Sequence, residues 1–277
     1  MRRTRTAALL LAAASTALAG VATAGSGVRH VIRQQAGPVG ATLSYDVEAG
    51  RPGNGDVRLA VTLRGGVVFN RRICAPRISC WIVSRRPLQL RQLAPGPRTV
   101  FIDMFSGGAH CCFFSEVVTI RDGRVRAAFR QEWGQIGYRY ARVGSGPVLI
   151  SADSRFSYAF GAFAWSRFPV QVWRLSGRAD RLVTVTRTVP MIVRRDAAKR
   201  WAEYLRSRGQ QGVDVRGMIA AWCADEYLLD QGPTCEKRLR EALAAGFLHG
   251  DTPGAGPENA AFVTALHRDL RAWGYMT

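Results

Sequence analysis

The sequence predicts an α+β protein in which an N-terminal antiparallel β-rich domain, built as a sandwich or a curved sheet, precedes a C-terminal α-helical segment. Two observations carry this reading. From Val57 to Val189, short runs rich in Val, Ile, Phe and Tyr are cut by Gly, Pro, Asn and Asp about every ten residues, the texture of antiparallel strands. After Val189-Pro190 the apolar residues switch to helical spacing. An even count of six cysteines behind an export-type N-terminus adds disulfides to the expectation.

Residues 1–24 read as a secretory signal peptide. Arg2, Arg3 and Arg5 precede an apolar run from Ala7 to Ala19, and Ala22-Thr23-Ala24 offers a small-residue cleavage site. The apolar run is shorter than the ~20 residues a spanning helix needs, and no later stretch is long and apolar enough to span a bilayer. The remaining chain holds 36 basic and 20 acidic residues, a formal charge of +16. Such charge favours anionic surroundings, and the expected partner is an anionic envelope polymer or polysaccharide. Lys199 and Lys237 are the only lysines, the arginines are scattered, and no basic helix or zinc-finger spacing points to nucleic acid.

Residues 25–56 are poor in apolar residues and are expected to be a flexible segment ending in the RPGNGD loop. Residues 57–190 form the β-rich domain, with strands expected at 57–63, 67–73, 99–105, 113–120, 147–152, 169–175 and 181–189 in a meander of about ten strands. Asp122-Gly123 is a hairpin turn, because Gly tolerates positive φ. Residues 191–277 form the helical region. A helix over 196–209 sets Trp201, Tyr204 and Leu205 on one face. Asp214 can cap a second helix carrying Met218, Ile219 and Trp222, and Thr234 a third carrying Leu239 and Leu243. A last helix places Phe262, Leu266, Leu270 and Trp273 at helical spacing.

Cys223 and Cys235 lie in neighbouring helices across the LLDQGPT turn and are expected to bridge. Cys74, Cys80, Cys111 and Cys112 leave alternatives. Cys74 can close the APRIS loop with Cys80 while Cys111 pairs with Cys112, or each of the adjacent pair can reach one of the other two. Pro76 and Gly107-Gly108 favour the local pairing.

His110 beside two cysteines suggests a metal, but three consecutive residues do not converge easily on one ion and no second ligand pair accompanies them, so neither metal nor cofactor is expected. A cysteine nucleophile needs a free thiol beside a base, which the even count does not leave. Ser106 lies in FSGG, not in the nucleophile elbow G-x-S-x-G. His110 then reads as a turn histidine, and Asp103 and Asp153 as turn caps.

Two stretches, IDMFSGGAHCCFFSEVVTI (102–120) and ISADSRFSYAFGAFAWSRFPVQVWRLSGRADRLVTVTRTVP (150–190), resemble uncharacterised exported bacterial proteins related to the FG-GAP or VCBS-type repeat group. The resemblance covers about residues 98–230 and implies a secreted or surface β-rich protein. Relatives of this kind carry acidic calcium-type loops before the strands. The corresponding YARVGSGPVLIS has no acid, and YDVEAGRPGNGDVRLAV has only Asp46, Glu48 and Asp56, widely spaced. The β half supplies fewer than three four-stranded blades, so at most an incomplete propeller is expected.

The functional reading is an exported, disulfide-stabilised binding or structural module of the cell envelope. Phe156, Tyr158 and Trp165 in FSYAFGAFAW are candidate ligand contacts, although alternate aromatics also suit a buried strand. The rival reading is a secreted hydrolase with Asp103, His110 and Asp153 as its catalytic candidates.

Overall fold

A computed structural model describes residues 27–47, 54–74, 80–82, 86–93, 98–109, 112–144, 146–251 and 254–276. The expected signal peptide (1–24), His110 and Cys111 lie outside the described residues. Three antiparallel sheets and a helical layer follow one another along the chain. The first sheet is the meander β1 (Val28–Ala36), β2 (Val39–Val47), β3 (Gly55–Leu63) and β4 (Gly66–Arg72). The second joins β5 (Trp81–Ile82) and β6 (Leu88–Arg91), both paired to β7 (Arg98–Phe105), with β8 (Phe113–Arg121) and β9 (Arg124–Gly134). The third holds β10 (Arg139–Val143), β11 (Gly146–Ala152), β12 (Val170–Leu175) and β13 (Leu182–Thr184). Helices α1 (Pro190–Ser207), α2 (Arg216–Leu228), α3 (Gly232–Ala244) and α4 (Asn259–Ala272) complete the order.

Side-chain alternation sets how these layers stack. Val39, Ala41 and Leu43 of β2 and Val57, Leu59 and Val61 of β3 share one buried face, packed on Val100, Ile102 and Met104 of β7. The opposite face of the second sheet presents Phe101, Val117 and Trp133 to Leu149, Leu175 and Leu182 of the third. That third sheet turns Val148, Ile150 and Val172 towards Val193 of α1. The middle strands are therefore buried on both faces, which is why β8 reads FFSEVVTI without clean alternation. The α+β class is as expected, with an antiparallel β part of three stacked sheets followed by the helices.

The stack ends where its outermost faces become polar or helical. On the outside of the first sheet lie Arg29, Arg33, Thr42, Ser44, Arg58 and Arg72, in register across the strands. Arg29, Arg58 and Arg72 converge on Asp56. Charges there surround the exposed Val31, break up the apolar surface a further sheet would need and protect the β1 edge against strand addition.

The expectation of a flexible segment over 25–56 is corrected by β1 and β2. β1 is an exposed edge strand of arginine, histidine and glutamine, and β2 buries only the small set Val39, Ala41 and Leu43, so neither carries a strong apolar signature. Asp122 and Gly123 both take positive φ at the β8–β9 hairpin, as their order predicts. α1 starts earlier than expected, with Pro190 in its first turn, where a missing N–H costs nothing. For the same reason α3 begins at Gly232-Pro233 and places Thr234 inside the helix. Asp214 sits one residue before the α2 N-cap and accepts the Arg216 backbone N–H at 3.0 Å.

Cys223–Cys235 staples α2 to α3 inside the helical core. Cys74–Cys80 closes the local loop, which excludes the pairing of either residue with Cys111 or Cys112. Cys112 is also disulfide-bonded.

Candidate functional site

In an antiparallel meander alternate connections emerge at the same end. The β7–β8, β9–β10 and β11–β12 connections therefore lie towards one end of the stack, and Gln135 of the second donates to Ser157 Oγ of the third at 3.2 Å. Trp81 pairs with Phe105 at that end, next to Cys80, whose carbonyl accepts from the Asn54 N–H at 2.6 Å while Asn54 Oδ1 accepts from the Ile82 N–H at 2.6 Å. Gly107 takes φ +82° against the Trp81 indole, where a Cβ would lie 3.1 Å from Nε1, so this turn requires glycine on both grounds.

Asp103 lies within β7 and is not a turn cap. Its carboxylate accepts from Ser115 Oγ at 2.6 Å, Gln89 Nε2 at 2.6 Å and the Tyr138 hydroxyl at 3.0 Å. Ser115 in turn accepts from Trp133 Nε1 at 2.8 Å, while Arg91 donates to Gln89 at 2.8 Å and stacks on Tyr140. Burial pushes the Asp103 pKa up, against the lowering effect of these donors. Ser115 is fully buried and both of its polar directions are used, so the network ties strands together and presents no nucleophile.

Removal of the Tyr138 hydroxyl should show how much this network holds. Tyr138→Phe is expected to destabilise the fold by about 1–2 kcal/mol, the contribution of a bond to a charged group. The donor favours the ionised carboxylate, so the deficit should grow as pH rises through the Asp103 titration. Denaturant melts of both proteins between pH 4 and 8 check this, and a pH-independent difference would contradict it.

Asp153 is buried and differently engaged. It accepts from the Arg155 backbone N–H at 3.0 Å, from the Arg155 guanidinium, and from the Tyr275 hydroxyl at 2.9 Å. The carboxylate caps the 3-10 turn Ser154–Phe156 and fastens it to the C-terminal residues. Among the described residues no hydrogen bond links Asp103 with Asp153, and His110 lies outside them, so the proposed catalytic set is not assembled by any described contact.

The aromatic segment is not a strand but two 3-10 turns, Ser154–Phe156 and Phe163–Trp165. Phe156 and Phe160 are buried in the helical core, with Phe156 against Trp273 and Tyr275. Trp165 is half-buried and donates to Asp251 at 2.7 Å. Tyr158, at φ +58°, remains exposed beside Phe163. Of the three candidate ligand contacts, Phe156 is core and Tyr158 alone faces solvent broadly.

Between this end of the third sheet and α1 lies a cleft of about 490 Å³. Its walls include Ile136, Ile150, Phe168 and Ile192, and its polar lining is Arg139, Arg195, Lys199, Arg200 and Asp196. Arg200 is paired with Asp196 at 3.5 Å and Glu203 at 3.7 Å and donates to the Phe168 carbonyl, yet its Nε is buried with no acceptor. No acid among the described residues forms an ion pair with Arg139, Arg195 or Lys199. Four cations thus face one carboxylate in a partly apolar cleft, an arrangement suited to an anion. The available signal in the sequence was the Arg195/Lys199 spacing of four, which puts both on one helix face. Arg139 comes from a distant strand and only the fold adds it. Among the described residues no three His, Cys, Asp or Glu side chains form a metal-holding group.

No protein-family profile and no solved structure matches the chain. A Synechocystis protein named "Probable thylakoid lumen protein" is 25% identical over 169 residues, covering 54% of this chain and 47% of that protein. The chain spans about half the length of the curated relative it matches.

Proposed function

We propose that the chain is an extracytoplasmic binding module whose cleft between the third sheet and α1 takes an anionic ligand, either a small anion or one anionic unit of an envelope polymer. The carrying observation is the cleft itself, with Arg139, Arg195, Lys199 and Arg200 around Asp196 and an unused buried N–H on Arg200. Extracytoplasmic placement is supported by the leader-like residues 1–24, by the Cys74–Cys80 and Cys223–Cys235 bridges, and by the name of the Synechocystis relative. No helix among the described residues is long and apolar enough to cross a membrane. The blade-like stacking of meander sheets supports a relationship to propeller-type repeats.

Charge reversal tests the cleft. Arg139→Glu/Lys199→Glu is expected to weaken pyrophosphate binding at low ionic strength by at least about tenfold, as expected when two like charges replace two opposite ones near the anion. Arg29→Glu/Arg33→Glu on the first sheet makes the same change in net charge and should leave affinity within about twofold. Equal weakening by both pairs in calorimetric titrations would identify general attraction to a basic protein and overturn the site.

A further inference from the structure

Behind the cleft, Asp225 of α2 is wholly buried and neither of its carboxylate oxygens meets a hydrogen-bond donor. The charged and titratable groups that act on it are Asp196 and Arg200 of α1, Glu226 beside it on α2, and Tyr275 beyond α4, which is itself bonded to Asp153. Asp196 is the acid that lines the cleft, and it also accepts the Val170 N–H at 3.1 Å. A dry carboxylate without donors is strongly disfavoured, and such a group takes up a proton instead. Burial first, and the negative charge of Asp196 second, hold the Asp225 pKa well above the usual carboxylate range. Two carboxylates are both acceptors and cannot bond to each other. Once protonated, Asp225 becomes an O–H donor, and the neighbouring Asp196 carboxylate is its acceptor.

We propose that Asp225, with Asp196 as the acceptor of its proton, is a proton-linked switch for the basic cleft, which binds oxyanions tightly while Asp225 is protonated and loosely once that proton is gone. This rests on the reading of the cleft as an anion site. Loss of the proton places a second negative charge behind Asp196 and beside Arg200, competing with a bound anion for that guanidinium and lowering the cleft potential. Linkage requires the reverse as well, so a bound oxyanion must draw a proton onto Asp225.

Sulfate is the probe, because it does not change charge between pH 5.5 and 8.5. Its affinity for the wild-type protein is expected to fall as pH rises through the Asp225 titration, by about tenfold where bound sulfate shifts that titration by one unit. Titrations in buffers of different ionisation heat should show proton uptake on binding. Asp225→Asn keeps a donor towards Asp196 without a titrating proton, so it should bind sulfate with a flat pH profile and no proton uptake. Infrared spectra of the wild type at neutral pH should show a protonated carboxyl band that this variant lacks. If Asp225→Asn fails to fold, Asp225→Leu of similar shape serves in its place, since it too removes the titrating group and should flatten the profile. Sulfate binding with the same pH slope in wild type and variant, or no carboxyl band at neutral pH, would overturn the switch and leave the cleft standing. Sulfate binding that is indifferent to Arg139→Glu/Lys199→Glu would instead remove the anion site, and the switch with it.

Discussion

Arg216→Ala is expected to destabilise the protein by about 3–5 kcal/mol, the largest loss of any single truncation, because it leaves an uncompensated charge in a dry site. Arg216 and Asp214 are both fully buried and form a two-point contact, Nε to Oδ1 at 3.0 Å and Nη2 to Oδ2 at 2.7 Å. The guanidinium also donates to the Ala255 carbonyl at 3.1 Å and to that of Pro257, so this side chain fastens the segment before α4 at two points. Neighbouring glycines allow the approach: a Cβ on Gly161 would stand 2.6 Å from Asp214 Oδ2. Denaturant unfolding measures the loss. Asp214→Leu/Arg216→Met should cost clearly less than the single truncation, since no charge is stranded. A double variant as damaging as Arg216→Ala would show that the cost lies in the carbonyl contacts instead.

Opening the Cys223–Cys235 bridge should have the next largest effect. Its twelve-residue separation corresponds to about 3 kcal/mol in the chain-entropy account, and the Cys74–Cys80 separation of six to about 2 kcal/mol. Cys223→Ala/Cys235→Ala should therefore melt below Cys74→Ala/Cys80→Ala. The core that surrounds the first bridge adds to the difference, since Cys223 and Cys235 are fully buried among Trp222, Leu239 and Phe262. Melts of both paired variants check the order, and a reversed order would point to the sheet end as the weaker part of the molecule.

The division into strands and helices was legible because the period of the apolar residues changes at Val189-Pro190, and periodicity depends only on the chain's own geometry. β1 was not legible, because an exposed edge strand needs no apolar residues and Arg29, Arg33 and Gln35 conceal it. Asp103 stood out as an acid near glycines, yet its environment comes from Gln89, Ser115 and Tyr138 on three other parts of the sheets. The cleft was hidden for a similar reason. Arg139 and Lys199 are sixty positions apart, and a basic background gives no means of telling a converging arginine from a scattered one. Asp225 carries no signal of its own within ADEYLL, because nothing local says that this side of α2 faces α1.

The layered order of the molecule has a consequence for how it comes apart. The core clusters of the described residues join each sheet to the layer before and after it, as in a repeat protein, so openings can propagate from either end without involving the far layers. The first sheet exposes an edge strand and a charged outer face, whereas the helical layer closes over Phe156, Phe160 and Phe262. Amide exchange should therefore rise in a gradient from β10–β12 towards β1, with the earliest openings confined to the first sheet. The cleft, set between the third sheet and α1, would keep its shape while the opposite end frays.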